Sequence, residues 1–406
     1  MIYDYVIVGA GIAGCSTAYF LNEKDNTKEI LILDRNSDVA VGASGTAGAF
    51  LSPLLGKPNH FKTLVNTALK FSTQLYKNIA QEFIINKGVL RIPKDEEDKQ
   101  KFCSYMEFND FDYELKEEGA FFPIGSKVNS YDVCKVLSKK ANKKFNYEVK
   151  HIKYKGEFWL INDEIKTKKL ILTTGADVSL IGEYYFNIRA VWGQRIDIKT
   201  STCISFNLHK ECSISVSKKL KDDQGMYQTT IGATHHRFNC DKEVCSYCLK
   251  IANMNNCTSF GYTKEVNNTD TKKLLELASD IMELKDVEVI NTKIGARASS
   301  VDYFPMVGEL INAKDSINKF PYIMHGTNVK KERLEYYDNL YVLNGVSGRG
   351  FVLSPYLAKQ LVDNIVDKKE LDDKITVHRL FTKWVRTKKA KEIINTKYKI
   401  NHGKDI

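Results

Sequence analysis

The tightest constraint on this chain stands at its very start. Residues 9–14 spell Gly9-Ala10-Gly11-Ile12-Ala13-Gly14, a G-x-G-x-x-G run. The apolar residues 3–9 before it predict a strand, residues 12–22 after it predict a helix, and residues 29–34 form a second apolar strand ending on Asp34. In that context each glycine has a physical task. Gly9 permits a tight turn, Gly11 lets the backbone approach a pyrophosphate, and Gly14 lets the helix lie close on the sheet. The helix N-terminus then offers free N–H groups and the positive end of its dipole to phosphates. Asp34 follows Gly14 by twenty positions, the spacing at which an acidic residue accepts hydrogen bonds from the adenosine ribose. A glycine-rich turn with no ligand remains the plain alternative, and the complete strand–turn–helix–strand–acid order argues against it.

Further strands stop abruptly on small residues: 169–175 ends Thr173-Thr174-Gly175, and 341–345 ends Asn344-Gly345. Their near-continuous hydrophobicity suits a buried parallel sheet. Residues 187–235 alternate polar and apolar, as antiparallel strands do. Helices are expected over 61–83, 270–284 and 355–367, while 85–145 mixes charge, scattered aromatics and short elements. The motif starts at residue 9, no second G-x-G-x-x-G follows, and a glycine-terminated strand recurs far downstream. These features resemble the FAD domain of flavoproteins with a Rossmann-type fold, so FAD is the expected cofactor.

Several segments resemble the D-amino-acid-oxidase family, which includes glycine oxidase and sarcosine oxidase. Residues 42–48, Gly-Ala-Ser-Gly-Thr-Ala-Gly, look like its small-residue loop beside the flavin. Residues 297–308, from Arg297 through Pro305 to Gly308, look like its Arg…Pro-x-x-Gly segment. Residues 345–351 followed by Ser354-Pro355 look like its glycine-rich turn against the isoalloxazine. The Gly48-to-Pro53 run, the Asp302-to-Gly308 spelling and the Ser347-to-Pro355 turn are similar to the oxidoreductase half of bifunctional tRNA wobble-uridine modification enzymes. The likeness runs in patches from 3 to about 367 and is weak over 85–145.

The resemblance implies an α/β fold with a Rossmann-type FAD domain and a discontinuous antiparallel-sheet substrate domain. The FAD domain is expected to gather 1–85, 146–185 and 295–370, and the substrate domain 86–145 and 186–294. A basic tail, 371–406, follows. It also implies FAD contacts from Gly9, Gly11, Gly14, Asp34, Arg35, Ser44, Thr46, Val149, Thr174, Gly175, Gly348, Arg349, Gly350 and Phe351. The activity implied is oxidation of 5-carboxymethylaminomethyl-uridine in tRNA to 5-aminomethyl-uridine and glyoxylate. The alternative is oxidation of glycine, sarcosine or a D-amino acid. The chain opens directly on the FAD strand, so any methyl transfer is expected to fall to a separate methyltransferase.

Arg297 is the candidate for a substrate carboxylate, since a planar guanidinium can clamp it bidentately; an ordinary salt bridge is the alternative. Arg349 offers positive charge near the flavin N1–C2 carbonyl, or merely fixes the backbone. Tyr303 lines the pocket, or packs as an aromatic. No dedicated catalytic base is visible, as expected where the cofactor supplies the chemistry.

The net charge of +10 admits an anionic partner such as tRNA, although a Lys-rich composition alone produces such a value. The cluster Lys383, Arg386, Lys388, Lys389 and Lys391, with Trp384 beside it, can hold phosphates or stand as a solvated tail. Cys240, Cys245, Cys248 and Cys257, after His235 and His236, suit a structural zinc or free thiols; with one tight pair, no metal is assigned. No apolar run is long enough to cross a membrane and residues 1–10 read as a strand, not a signal peptide. With nine cysteines, a reducing cytoplasmic location is expected.

Overall fold

The computed structural model of the protein describes residues 1–220, 225–237 and 267–394. Its first sheet is built on Ile2–Val8, which pairs in parallel with Ile30–Leu33 on one side and Ile165–Leu172 on the other. Tyr336–Asn344 adds in parallel beside Ile165–Leu172, and Met306–Ile311 pairs antiparallel to it. These strands are apolar on both faces because both faces are covered. Tyr5, Ile7, Ile30, Ile32, Ile171, Tyr341 and Leu343 point into one core, with the helices Ile12–Lys24, His60–Ile79 and Gly350–Asp367. Their neighbours Val6, Val8, Leu31, Leu33, Leu170, Leu172, Leu340 and Val342 point into a second. That period-two division of one continuous apolar run is the signature of a doubly covered sheet.

The helix Gly350–Asp367 begins five residues earlier than expected, and Pro355 lies inside it. Proline has no N–H, so the Phe351 carbonyl four residues back loses its helical donor. The Tyr76 hydroxyl donates to that carbonyl at 2.8 Å, and the Ser72 hydroxyl to the Val352 carbonyl at 2.7 Å, both buried. Two side chains of His60–Ile79 thus repair the turn that the proline interrupts.

The second sheet has ten strands; eight run in the order 236–237, 188–200, 227–232, 213–214, 207–209, 89–91, 119–122, 114–116, and Lys218–Lys219 pairs with 227–232. Strand Glu288–Ser300 lies on the free edge of Ile188–Thr200. One face is apolar: Leu90, Ile196, Ile198, Leu208, Ile214 and Ile231 pack with Leu274 and Ala278 of the helix Asn268–Ser279. Buried Gln194 fixes that helix, donating to Thr271 Oγ1 at 2.8 Å and accepting from the Asn267 N–H at 2.9 Å. A small sheet of Phe50–Leu51, Ser126–Val128 and Ile84–Ile85 stands apart from both.

Segment placement differs from expectation at three points. Strand Asn142–Lys144 joins the first sheet beside Ile30–Leu33, and helix Ser130–Leu137 packs into the first core. Strand Glu288–Ser300 keeps residues 295–300 in the second sheet. Residues 371–394 are not a loose tail. Helix His378–Val385 buries Leu380, Phe381 and Val385, and Trp384 stacks on Tyr184 at 6.3 Å. Arg379 binds it down with a two-pronged pair to Asp302, at 2.8 and 2.9 Å. Lys383, Arg386, Lys388 and Lys391 stay exposed on its outer side, and Lys391 belongs to a short helix, Lys388–Ile393.

Two measurements follow from these contacts. Tyr76→Phe leaves the Phe351 carbonyl without a donor and should cost about 1–3 kcal/mol in chemical denaturation. Glu183, buried against the Tyr337 hydroxyl at 2.7 Å and the Ala313 N–H at 3.2 Å, has its carboxyl pushed up from 4.5 to about 7 by burial. The folded state therefore keeps this proton after the unfolded chain has lost it, and stability falls as pH rises from 4.5 through 7. Glu183→Gln should match the parent near pH 4 and exceed it at pH 8 by up to about 3 kcal/mol in pH-dependent unfolding.

Candidate active site at the glycine turns

The first helix can begin at Ile12 because two glycines let backbones touch. A Cβ on Gly14 would lie 1.9 Å from the Gly9 carbonyl oxygen, and one on Gly9 would lie 2.5 Å from the Thr173 carbonyl oxygen. Gly9 also has φ +112°, a conformation open to glycine. Gly11 is the N-cap and supplies no side chain of its own, which leaves room at the turn where the helix dipole favours an anion. Ser44 Oγ accepts from the Ile12 N–H at 2.9 Å, bringing the 42–48 loop onto this turn. Asp34 sits as expected at the end of its strand. Its Oδ2 accepts from the Ala10 N–H at 2.6 Å and its Oδ1 from the Asn36 N–H at 2.8 Å, so it also braces the fingerprint turn.

The second glycine turn lies against the first. A Cβ on Gly350 would be 3.3 Å from the Ile12 side chain. Asn344, missed in the sequence, ties the pieces together: its Nδ2 donates to the Gly175 carbonyl at 2.9 Å and its Oδ1 accepts from the Gly345 N–H at 2.7 Å. Its signal was available, as a polar residue closing a buried apolar strand just before a glycine. Thr174 Oγ1 is buried there without a hydrogen-bond partner, an arrangement that suits a ligand atom. Phe351 differs from expectation, because its side chain is buried in the first core. Arg35 is exposed and pairs with Asp177 at 2.7 Å. Val149 lies in an irregular segment between strands, not in a strand, although the neighbouring Tyr147 N–H reaches the Asp34 carbonyl at 2.9 Å.

Above these turns stands the polar face of the second sheet. Residues paired directly across strands share a face, and one such row reads Lys293, Arg195, Gly232, Ser213, His209, Arg91. Arg297, Gly295 and Gly193 lie on the same face. Gly295 meets the 42–48 loop, where its Cβ would lie 2.2 Å from Thr46 Oγ1. Arg297 lies across Gly193, and its side chain passes 3.6 Å from a Cβ placed on Gly348. It also donates from Nη1 to the Thr234 carbonyl at 3.1 Å. Arg349 leaves the other side of the turn and donates from Nη1 to the Ser52 carbonyl at 3.4 Å. Arg91 reaches the same residue, donating to Ser52 Oγ at 3.1 Å and to the Pro53 carbonyl at 2.9 Å.

The face is strongly cationic. Asp197 is the carboxylate in its middle, accepting from Arg195 at 2.7 Å, Thr230 at 2.7 Å and Asn291 at 3.1 Å. Lys127 closes over from the small sheet and donates to Thr230 Oγ1 at 2.9 Å. Burial, with Arg195 beside it, pulls the Lys127 ammonium down to about 8. Burial holds Arg349 down to about 10; burial and the neighbouring Arg349 do the same to Arg91. Burial, then Arg91 and Arg349, push His209 well below its ordinary value. Arg91, Arg195, His209 and Lys127 were not picked out from sequence. A mid-strand Arg-x-Asp in an otherwise apolar run was the signal for Arg195. Tyr303 does not join this group: it is 48% exposed, with its ring 5.8 Å from the Arg189 guanidinium.

The FAD dependent oxidoreductase (DAO) family profile matches residues 4–364. The chain belongs to that family. Relatives include the tRNA 5-methylaminomethyl-2-thiouridine biosynthesis bifunctional protein MnmC of Legionella pneumophila (strain Corby), 24% identical over 400 residues, covering 89% of this chain and 54% of that protein. The protein of the same name from Campylobacter jejuni (strain RM1221) is 25% identical over 368 residues, covering 87% and 54%. The chain thus spans about half the length of these relatives. Among solved structures, glycine oxidase from Bacillus cereus superposes with a TM-score of 0.68 at 19% identity, covering 91% of this chain and 96% of that one. Iminodiacetate oxidase from Chelativorans sp. BNC1 gives 0.65 at 15%, covering 92% and 98%. These likenesses establish the D-amino-acid-oxidase-like fold.

The residues present suit the family's FAD. The helix N-terminus at Gly11 would hold the pyrophosphate with the N–H groups that Ser44 does not take, the glycine cradle leaves no side chain in its way, and orphaned Thr174 Oγ1 lies beside Gly175. The cysteine cluster at 240–257 lies outside the described residues, and among the described residues no group of His, Cys, Asp and Glu is arranged to hold a metal. Among them, too, no helix is long and apolar enough to cross a membrane. Gly14→Ala forces a Cβ onto the Gly9 carbonyl and should weaken FAD binding by about tenfold to a hundredfold. Titrating apoprotein with FAD and following flavin fluorescence checks this.

Proposed function

We propose that this chain oxidises the carboxymethylaminomethyl group of a wobble uridine in tRNA, releasing glyoxylate and leaving the aminomethyl base. The observation that carries this reading is the cationic sheet face over the glycine turns, taken with relatives named for tRNA wobble-base biosynthesis across nearly nine tenths of the chain. A glycine-sized amine needs one anion clamp, whereas this face carries Arg297 towards one edge and Arg91, joined by Arg349, towards the other.

When bound, FAD supplies the two-electron acceptance. The substrate is a secondary amine whose nitrogen joins the uridine methylene to a glycine α-carbon. The α-carbon loses a hydride and the nitrogen a proton, giving an imine; water adds to its carbon and the C–N bond breaks. The products are the free aminomethyl group and glyoxylate. The protein's part is positional. Arg297, beside Gly348, holds the carboxylate and thereby fixes which α-carbon hydrogen faces the turn. Arg349 keeps positive charge against the turn, favouring the extra electron density of the reduced state. Tyr303 is given no role at the substrate.

A second reading, oxidation of a small amino acid, is favoured by the likeness in fold to glycine oxidase. Anaerobic incubation separates the two. The FAD-loaded protein is mixed with tRNA carrying the carboxymethylaminomethyl base, and in parallel with glycine and sarcosine. We expect the tRNA alone to bleach the flavin and nucleoside mass analysis to show loss of the carboxymethyl group. Arg297→Ala should lower the apparent second-order rate of bleaching about a hundredfold. Bleaching by glycine or sarcosine without tRNA turnover would overturn the tRNA reading.

A further inference from the structure

The sheet face has a cationic pole at each end, with Arg195 and Lys127 gathered around Asp197 and Thr230 between them. Arg297 lies on edge strand Glu288–Ser300, and Arg91 lies on Val89–Arg91, with 188–200, 227–232, 213–214 and 207–209 between them. Five strand steps measured along the sheet span about 24 Å. Curvature of the sheet and the length of the side chains shorten the gap, and Arg349 reaches across part of it. One carboxylate of a free amino acid still has no need of both poles. Between them the row carries Arg195, paired with Asp197, and then the small residues Gly232 and Ser213.

Among the described residues the second pole is poorly neutralised. Arg91 and Arg349 converge on Ser52 and Pro53, where they donate to neutral oxygens: Ser52 Oγ at 3.1 Å and the Pro53 carbonyl at 2.9 Å for Arg91, and the Ser52 carbonyl at 3.4 Å for Arg349. Arg91 Nε is buried with no acceptor. His209, opposite Arg91 in register, holds its Nδ1 against Ser213 Oγ at 2.7 Å. Nearby Asp98 and Glu211 are exposed and turned to Lys94, Asp98 accepting from its N–H at 3.0 Å and Glu211 facing its Nζ at 3.7 Å. The contrast with Arg195 is instructive, since that arginine has Asp197 at 2.7 Å. Guanidiniums remain charged even where desolvated, so like charges gathered in a cleft call for an anion from outside.

We propose that Arg91, Arg349 and His209 form a second anion subsite, one that binds a phosphate of the nucleotide whose base-borne carboxylate is held at Arg297. This rests on the nucleic-acid reading above and deepens it. The subsite makes the enzyme selective for a substrate with two anions held apart. Planar, multi-donor guanidiniums match phosphate oxygens in geometry as well as charge.

The test measures binding to the FAD-loaded protein without turnover. Equilibrium dialysis compares uridine with uridine 5′-monophosphate. The proposal predicts that the nucleotide binds about tenfold or more tightly than the nucleoside. Arg91→Gln should abolish that preference, and Arg91→Lys should retain part of it. Ser52→Asp, which places a carboxylate beside both guanidiniums, should abolish it as well. FAD stoichiometry and the visible flavin spectrum confirm that each variant is folded. Equal affinity for the two probes in the parent protein, or a preference that survives in both Arg91→Gln and Ser52→Asp, overturns the subsite. If tRNA is oxidised while the probes bind equally, the subsite alone falls. If the preference is present and lost in the variants while tRNA is not oxidised, the subsite stands and the tRNA reaction falls.

Discussion

A Cβ on Gly14 would stand 1.9 Å from the Gly9 carbonyl, so the first helix starts where it does only because that atom is missing. Everything at the site hangs on this approach. It sets the helix N-terminus at the edge of the parallel sheet, against Thr173 at the end of the neighbouring strand. Thr173 Oγ1 donates to the backbone there, with Val8 and Gly9 carbonyls both at 3.0 Å. The Gly350 helix then packs on Ile12, and Asn344 ties Gly175 to Gly345. Sites at the carboxyl ends of parallel strands arise this way, where chain segments diverge and leave a crevice.

The second sheet answers a different demand. It must be apolar toward the helix Asn268–Ser279 and polar toward the crevice, and strand alternation satisfies both at once. Ile196 and Ile198 serve the first need, Arg195 and Asp197 the second. Holding cations in a desolvated crevice is costly without anions. Asp197 offsets that cost at the centre of the face, and among the described residues the pole at Arg91 and Arg349 has no comparable carboxylate.

The nucleotide half was readable in the sequence because its signals are local. Gly9, Gly11, Gly14 and Asp34 fall within one strand–helix–strand unit, and the structure brings them together as the spacing requires. The cationic face was much less readable. Its members come from strands at 89–91, 188–200, 207–209 and 288–300, and only the register of a ten-stranded sheet places them in one row. Arg91 lay in a segment where alternation was too short to assign a face. The 371–394 region misled for the opposite reason: its basic residues are consecutive enough to suggest a solvated tail, yet Leu380, Phe381 and Val385 form a buried stripe beneath them. Tyr303 looked suited to a pocket by residue type, but a tight turn with φ +68° turns it outward.

The central claim is that fingerprint turn, glycine turn and cationic sheet face enclose one cofactor. The crystal structure of the FAD-loaded protein tests it most directly. The account predicts the pyrophosphate at the Gly11 helix terminus and the isoalloxazine ring between residues 345–350 and the sheet face bearing Arg297 and Arg91. A ring bound elsewhere, with Arg91 and Arg349 paired to protein carboxylates, would contradict it.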